Sequence, residues 1–301
     1  MNSPLHSHIL NLATVVVAIF LSGCAADGDI SEWRSYPQQS YPQQPEDRAY
    51  HLFVPDGVLA SDQLVPLVIN MHGATPAIAS INTFASFFQQ VISGMPQHAA
   101  NNNYISVHPQ GRTYEETQFW VTSDERDADF INGLVDDLIE TLPVDPQRIF
   151  LTGFSSGGIM AWKLACEHSD RYAAIAAVAA NRRAAEDCPD ARAVPVIAFH
   201  GTDDQTVGYD GGITALETWA EEHDCQAREV VFQENDSTCE RWSECNQGSE
   251  MRFCTSEEAG HTWPSGPGSF VISAAGYGRT SYSIDATDLM WSFFEAVSLQ
   301  Q

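Results

Sequence analysis

Three features of the 301-residue chain predict an α/β fold with a mostly parallel central sheet and helices on both faces. Short apolar runs rich in β-formers alternate with segments of helical period. The chemically suggestive residues fall just beyond the ends of those runs, where such sheets gather their reactive groups. At 44% hydrophobic residues the chain can bury one large core, so a disordered protein is excluded.

The elements follow in order. Ala49 to Pro55 reads as a strand and Asp56-Gly57 as a turn. Val65 to Met71 is a buried-strand run ending at His72-Gly73-Ala74, and Ile78 to Ile92 has helical spacing. Tyr104 to His108 is a short strand closing on Pro109-Gln110-Gly111. Phe130 to Leu142 is helical by its Ile131, Leu134, Val135, Leu138 stripe. A strand from Arg148 to Gly153 follows Val144-Asp145-Pro146, and a helix starts just after Ser155. Tyr172 to Ala180 is a small-residue strand, and Val194 to Phe199 is the next, ending at His200-Gly201. Ile213 to Glu222 and Asp285 to Val297 read as helices.

Gly153-Phe154-Ser155-Ser156-Gly157-Gly158 lies between a strand and a helix. This G-x-S-x-G arrangement is the nucleophile elbow, in which a sharp turn presents one serine hydroxyl at its tip. Glycines flank the serine because the turn leaves no room for a Cβ. The helix N-terminus offers a positive dipole end and the Ser156 N–H to a developing oxyanion.

The formal charge is −26, with one lysine against thirteen arginines. A phosphate backbone would be repelled, so no nucleic-acid partner is expected and a neutral substrate fits. Ile9 to Leu21 has signal-peptide length and runs into Leu21-Ser22-Gly23-Cys24, which resembles a bacterial lipobox cut before a lipidated cysteine. The residues before it hold no Lys or Arg, a departure from that pattern. The expectation is a leader over residues 1–23, a Pro/Gln-rich tether over 24–46, and a catalytic domain over 47–301. The protein would then be exported and anchored to a membrane through Cys24, at the outer membrane or cell surface in a Gram-negative source.

Cys166, Cys188, Cys225, Cys239, Cys245 and Cys254 remain, an even number that reads as disulfides in an exported chain. Cys166 and Cys188 bracket one helix–strand unit and form the best single pair; the other four stay unassigned. Paired C-x₂-C units are missing, so no metal is expected.

A serine hydroxyl needs a base to take its proton, and the base needs a third group to orient it. Beyond Ser155, His200-Gly201-Thr202-Asp203-Asp204 offers two acids, and Gly260-His261-Thr262-Trp263-Pro264 offers a late-loop histidine. These segments, with Met71-His72-Gly73 and the stretch from Asp145 to Gly158, resemble the α/β-hydrolase esterase family of polyhydroxybutyrate depolymerases and feruloyl or acetylxylan esterases. The likeness covers roughly residues 47 to 298. It implies the α/β-hydrolase fold, Ser155 as nucleophile, His261 as base and Asp204 as the orienting acid. The oxyanion hole would be the N–H groups of Ser156 and Ala74, and no cofactor would be required. This chain departs from the family at Arg126-Asp127-Ala128-Asp129, at Val207-Gly208-Tyr209 and at Glu258-Ala259-Gly260. Cys239 and Cys254 suggest a stapled, remodelled loop before His261.

Bland readings stand beside these. Asp203 is the alternative orienting acid, and His72 and His200 read as loop-shaping residues. Trp263 is a candidate for lining a substrate subsite or for packing, with Trp120 a weaker candidate of the same kind. The expected activity is hydrolysis of neutral esters, with feruloyl or acetyl esters of plant-polysaccharide fragments ahead of hydroxyalkanoate polyesters. With Gln301 soon after the last helix, no appended polymer-binding domain is expected. A silent surface-binding lipoprotein and a peptidase are the readings of other kinds.

Overall fold

The computed structural model describes residues 48–61, 63–77, 84–182, 188 and 191–299. Cys24, the leader, the tether and the first part of the helix expected over 78–92 lie outside these residues. The strands are β1 (Tyr50–Phe53), β2 (Val65–Met71), β3 (Thr75–Pro76), β4 (Ile105–Pro109), β5 (Arg112–Tyr114), β6 (Thr117–Phe119), β7 (Val144–Phe154), β8 (Ala174–Val178), β9 (Val196–Gly201), β10 (Ala227–Glu234), β11 (Ser237–Ser243) and β12 (Met251–Ser256). The helices are α1 (Phe84–Ser93), α2 (Met95–Asn102), α3 (Arg126–Thr141), α4 (Ser156–Glu167), α5 (Tyr209–Glu222), α6 (Ser269–Ile272) and α7 (Ala286–Phe294).

One sheet runs in the order β1-β4-β2-β7-β8-β9-β12-β11-β10. From β4 to β12 the neighbours are parallel, and antiparallel pairs close both edges. Side chains alternate across this sheet with the two-residue period of a strand. Leu67 and Ile69 of β2 pack with the apolar stripes of α3, α4 and α5. Val68, between them, packs on the opposite face with α1, α2 and α7. Burial on both faces explains why β8 reads as an unbroken apolar run and β2 as one broken only by Asn70. This is the α/β-hydrolase architecture.

Two local differences from the sequence expectation have physical reasons. Strand β7 starts at Val144, before the proline, because Val144 pairs with Val65 and the register then shifts between Val65 and Leu67. Pro146 sits exposed in that irregularity, where its missing N–H removes no ladder bond. The segment expected as a remodelled loop before His261 is instead the β10–β11–β12 meander. Its outer strand carries charges on exposed faces, tied as Arg228–Glu240 and Arg241–Glu229 pairs, so no apolar alternation marks it.

Three disulfides join Cys166 to Cys188, Cys225 to Cys245 and Cys239 to Cys254. The first matches the expected pair. Cys239 and Cys254 are direct register partners on β11 and β12, so their bridge staples a sheet and not a loop.

Candidate active site

Strand β7 reaches its end at Phe154, and Ser155 turns the chain into α4 with φ 53° and ψ −117°. A non-glycine residue with positive φ stores strain that surrounding contacts must hold. Here the Ser155 N–H donates to the Val178 carbonyl at 2.9 Å, and the Ser155 carbonyl accepts from Ile159. A Cβ on Gly153 would strike the Gly157 backbone, and one on Gly157 would strike the Met71 carbonyl. The glycines therefore let helix, elbow strand and β2 close on one another. The N–H groups of the first helical turn lack intrahelical acceptors, and Ser156 is the first of them.

His261 and Asp204 meet from separate strand ends. Asp204 follows β9, and His261 follows β12. His261 Nδ1 lies 2.7 Å from Asp204 Oδ2, with both side chains buried. The other carboxylate oxygen accepts the N–H groups of Thr206 and Val207 at 2.8 and 3.0 Å. His200 Nε2 also stands 3.1 Å from Oδ2, outside good hydrogen-bond alignment. Burial would raise the Asp204 carboxyl. The contacts from His200 and His261 and the backbone N–H of Val207 outweigh it and hold the group well below the usual carboxylate range. An ionised Asp204 accepts, so His261 carries its proton on Nδ1 and leaves Nε2 as a base. Asp203 points into solvent, so Asp204 is the acid that holds His261.

Ser155 and His261 are brought to the same end of the sheet through Phe154, whose ring centroid lies 4.8 Å from that of His261. Among the described residues the Ser155 hydroxyl makes no hydrogen bond to His261. Such contacts in unliganded enzymes often tighten only around substrate.

The loop after β2 forms the opposite wall. A Cβ on Gly73 would come within 3.3 Å of Ser155 Cβ, which places this loop against the nucleophile, and Ala74 follows with an exposed side chain. His72 fixes the loop. Its Nε2 accepts the Gly111 N–H at 2.8 Å, so Nδ1 donates to the Gly73 carbonyl at 2.7 Å. Burial pushes the His72 imidazole down to about 4, only partly opposed by its bond to Gly73. Trp120 is buried and donates its indole N–H to the His72 carbonyl, so it supports this wall and does not line a subsite. Behind it, Arg48 and Arg112 converge on the buried Asp127, which also accepts the Val121 N–H at 2.7 Å. Asp127 is thus the working acid of the unusual Arg126–Asp129 stretch.

Trp263 requires a correction. Its side chain is fully buried, and its indole N–H donates to Thr287, which in turn donates to the Ser93 carbonyl. It packs beneath the His261 loop and cannot reach a substrate there. The exposed aromatic beside His261, on a different segment from the buried Phe154, is Tyr277, with ring centroids 6.0 Å apart and the Tyr277 carbonyl accepting the His261 N–H at 2.7 Å. No sequence motif marks it. The only signal is a tyrosine between Gly276 and Gly278.

Glu125, Glu167 and His168 approach one another closely enough to suggest a cation site. The Lys163 ammonium bonds to both glutamates and already offsets one of their two charges, and the cluster lies at the far end of α4 from Ser155.

The family model described as phospholipase/carboxylesterase matches residues 118–242, a stretch holding Ser155 and Asp204. A feruloyl esterase B of Piromyces equi is 28% identical over 224 residues, covering 66% of this chain and 40% of that protein. A bifunctional acetylxylan esterase/xylanase of Neocallimastix patriciarum is 22% identical over 227 residues, covering 73% of this chain and 32% of that protein. The chain therefore spans well under half the length of these two relatives. The solved acetyl xylan esterase from Aspergillus awamori superposes with a TM-score of 0.60 at 14% identity, over 82% of this chain and 100% of that one. The chain is an α/β hydrolase by fold, and in sequence it resembles the feruloyl and acetylxylan esterases of that fold.

Proposed function

We propose that the chain is a serine carboxylic-ester hydrolase working through an acyl-enzyme. The observation that carries this reading is the 2.7 Å contact between His261 Nδ1 and an ionised Asp204, beside a strained Ser155. Ser155 Oγ attacks the ester carbonyl while His261 Nε2 takes its proton. The oxyanion is held by the N–H groups of Ser156 and Ala74, each such donor contributing roughly 10²–10³ in rate. Collapse expels the alkoxide, which takes the proton from His261. Water then repeats the sequence on the acyl-enzyme, releasing the acid and Ser155. No step calls for a cofactor or metal.

The substrate class is feruloyl- or acetyl-type esters of plant-polysaccharide fragments. The named relatives and the strongly acidic, phosphate-repelling composition support it. Export, with an anchor at Cys24, fits the lipobox-like Leu21–Cys24 and three disulfides, which persist in oxidising compartments.

The test is hydrolysis by the purified protein and its Ser155→Ala variant of methyl ferulate, acetylated xylan, p-nitrophenyl acetate and a hydroxybutyrate oligomer. Ser155-dependent turnover, highest on the first two, is expected. Preference for the oligomer would move the substrate to polyesters. A wild type as inert as a folded Ser155→Ala variant would remove the hydrolase reading.

A further inference from the structure

Among the described residues the exposed large aromatics are Tyr114, Phe270, Tyr277 and Tyr282. They are confined to two segments. Tyr114 lies in the β3–β6–β5 sheet, which grows out of the loop after β2. The other three lie in the stretch 270–282 that follows the His261 loop. Elsewhere the described tryptophans, tyrosines and phenylalanines are buried or partly buried. An exposed aromatic face gains from meeting apolar C–H surface, so one set beside His261 points to a ligand.

Of the four, Tyr277 is the one whose ring is paired with His261. Its backbone is fixed: its carbonyl accepts the His261 N–H, and Arg279, two residues on, gives its carbonyl to the Gly260 N–H at 2.8 Å. Gly276 and Gly278 hold φ of 93° and 96°, and a Cβ on Gly278 would press on Gly260 Cα. The Arg279 guanidinium turns away to Asp236 and the Glu257 carbonyl, leaving no cation beside the ring from this residue. The residue stays 47% exposed next to His261. A rigid backbone presenting a free aromatic face is a platform, since little ordering is needed when a ligand lands on it.

Which half of an ester it meets follows from proton transfer. His261 must hand its proton to the leaving oxygen, so that oxygen lies within hydrogen-bond reach of Nε2. The atoms bonded to the leaving oxygen are those of the alcohol. We propose that Tyr277 is a specificity-determining residue that stacks on the sugar ring carrying the ester, on the alcohol side of the scissile bond. A neutral pyranose or furanose offers a C–H face to the ring and no charge to the acidic surface. This inference rests on the hydrolase reading above and adds to it the place where the alcohol is recognised.

The experiment compares two esters that share an acyl group and two that share an alcohol. kcat/KM is measured on acetylated xylo-oligosaccharide, methyl acetate and methyl ferulate for the wild type, Tyr277→Ala, Tyr277→Phe and Ser155→Ala. The expected result is a sugar-acetate to methyl-acetate ratio about tenfold lower in Tyr277→Ala, carried by KM, the size of one aromatic contact. Tyr277→Phe, which keeps the face, retains the ratio within about twofold. An unchanged ratio in Tyr277→Ala overturns the platform, as does an equal fall on all three esters. A fall confined to methyl ferulate moves the ring to the acyl side and overturns it too. Equal losses in the Ala and Phe variants would replace stacking with a hydroxyl contact. Absence of any Ser155-dependent turnover removes the hydrolase reading, which is a separate outcome.

Discussion

The two walls of the site each carry a buried histidine, and the two imidazoles are wired in opposite ways. His72, at the end of β2, has both ring nitrogens committed to backbone groups, Gly111 N–H on one side and the Gly73 carbonyl on the other. His261, in the loop after β12, has one nitrogen committed to a carboxylate, and its other nitrogen makes no hydrogen bond among the described residues. Backbone partners on both nitrogens lock His72 as a neutral strut. A carboxylate on one nitrogen gives a base that can become cationic, because Asp204 stabilises the imidazolium that proton transfer creates. Residue type and burial are the same; the identity of the hydrogen-bond partners separates scaffold from chemistry.

The largest effect comes from removing the carboxylate that makes the difference. Asp204→Asn leaves the loop bonds from Thr206 and Val207 available to an amide oxygen but cannot stabilise a cationic His261. We expect kcat to fall by about 10³–10⁴ with KM little changed. Asp203→Asn, one residue away and exposed, should stay within about twofold. Steady-state kinetics on one acetate ester decides it, and a larger loss in Asp203→Asn than in Asp204→Asn would reassign the acid.

The His72 side of the comparison is read by stability, not rate. The folded imidazole is held at about 4, below its ordinary 6.5, because burial disfavours its cation. The unfolded chain therefore binds the extra proton first as pH falls. The contribution of a neutral His72 is full above about 6.5 and is lost progressively toward 4, by about 3 kcal/mol at most. Urea unfolding of wild type and His72→Gln at pH 7.5, 6 and 5 tests this. The gap between them should shrink as pH falls. Other histidines with lowered values, His98, His108 and His223, are present in both proteins and cancel. A gap that does not change with pH would mean that His72 is not held neutral.

The same contrast explains how much could be read from sequence. The parallel core was legible because doubly buried strands such as β2 and β8 are mostly apolar or small-residue runs, and the elbow because Gly153 answers to a collision with Gly157, four residues on, within the G-x-S-x-G pattern. Asp204 and His261 sit in ordered motifs at strand ends, so their meeting followed from topology. What escaped depends on contacts between distant segments. Strand β10 hides because ion pairs cover its exposed faces. The role of Asp127 needs Arg48, 79 residues earlier. Tyr277 meets His261 only through a return of the chain that has no local signature.

Trp263 carries the smallest expected effect and sharpens the comparison from beneath. Adjacency to His261 suggested a subsite, yet the chain direction turns its ring inward to the Thr287–Ser93 relay between α7 and α1. Trp263→Phe removes one indole N–H and some ring volume, while Thr287 keeps its bond to Ser93. The cost should be about 1–2 kcal/mol in denaturant unfolding, the sum of a lost hydrogen bond and a small cavity. KM should not change selectively for any ester, because no atom of the ring faces the site. A selective KM increase on one ester class at unchanged stability would return Trp263 to the substrate wall, and His261 would then have a second aromatic at the substrate beside Tyr277.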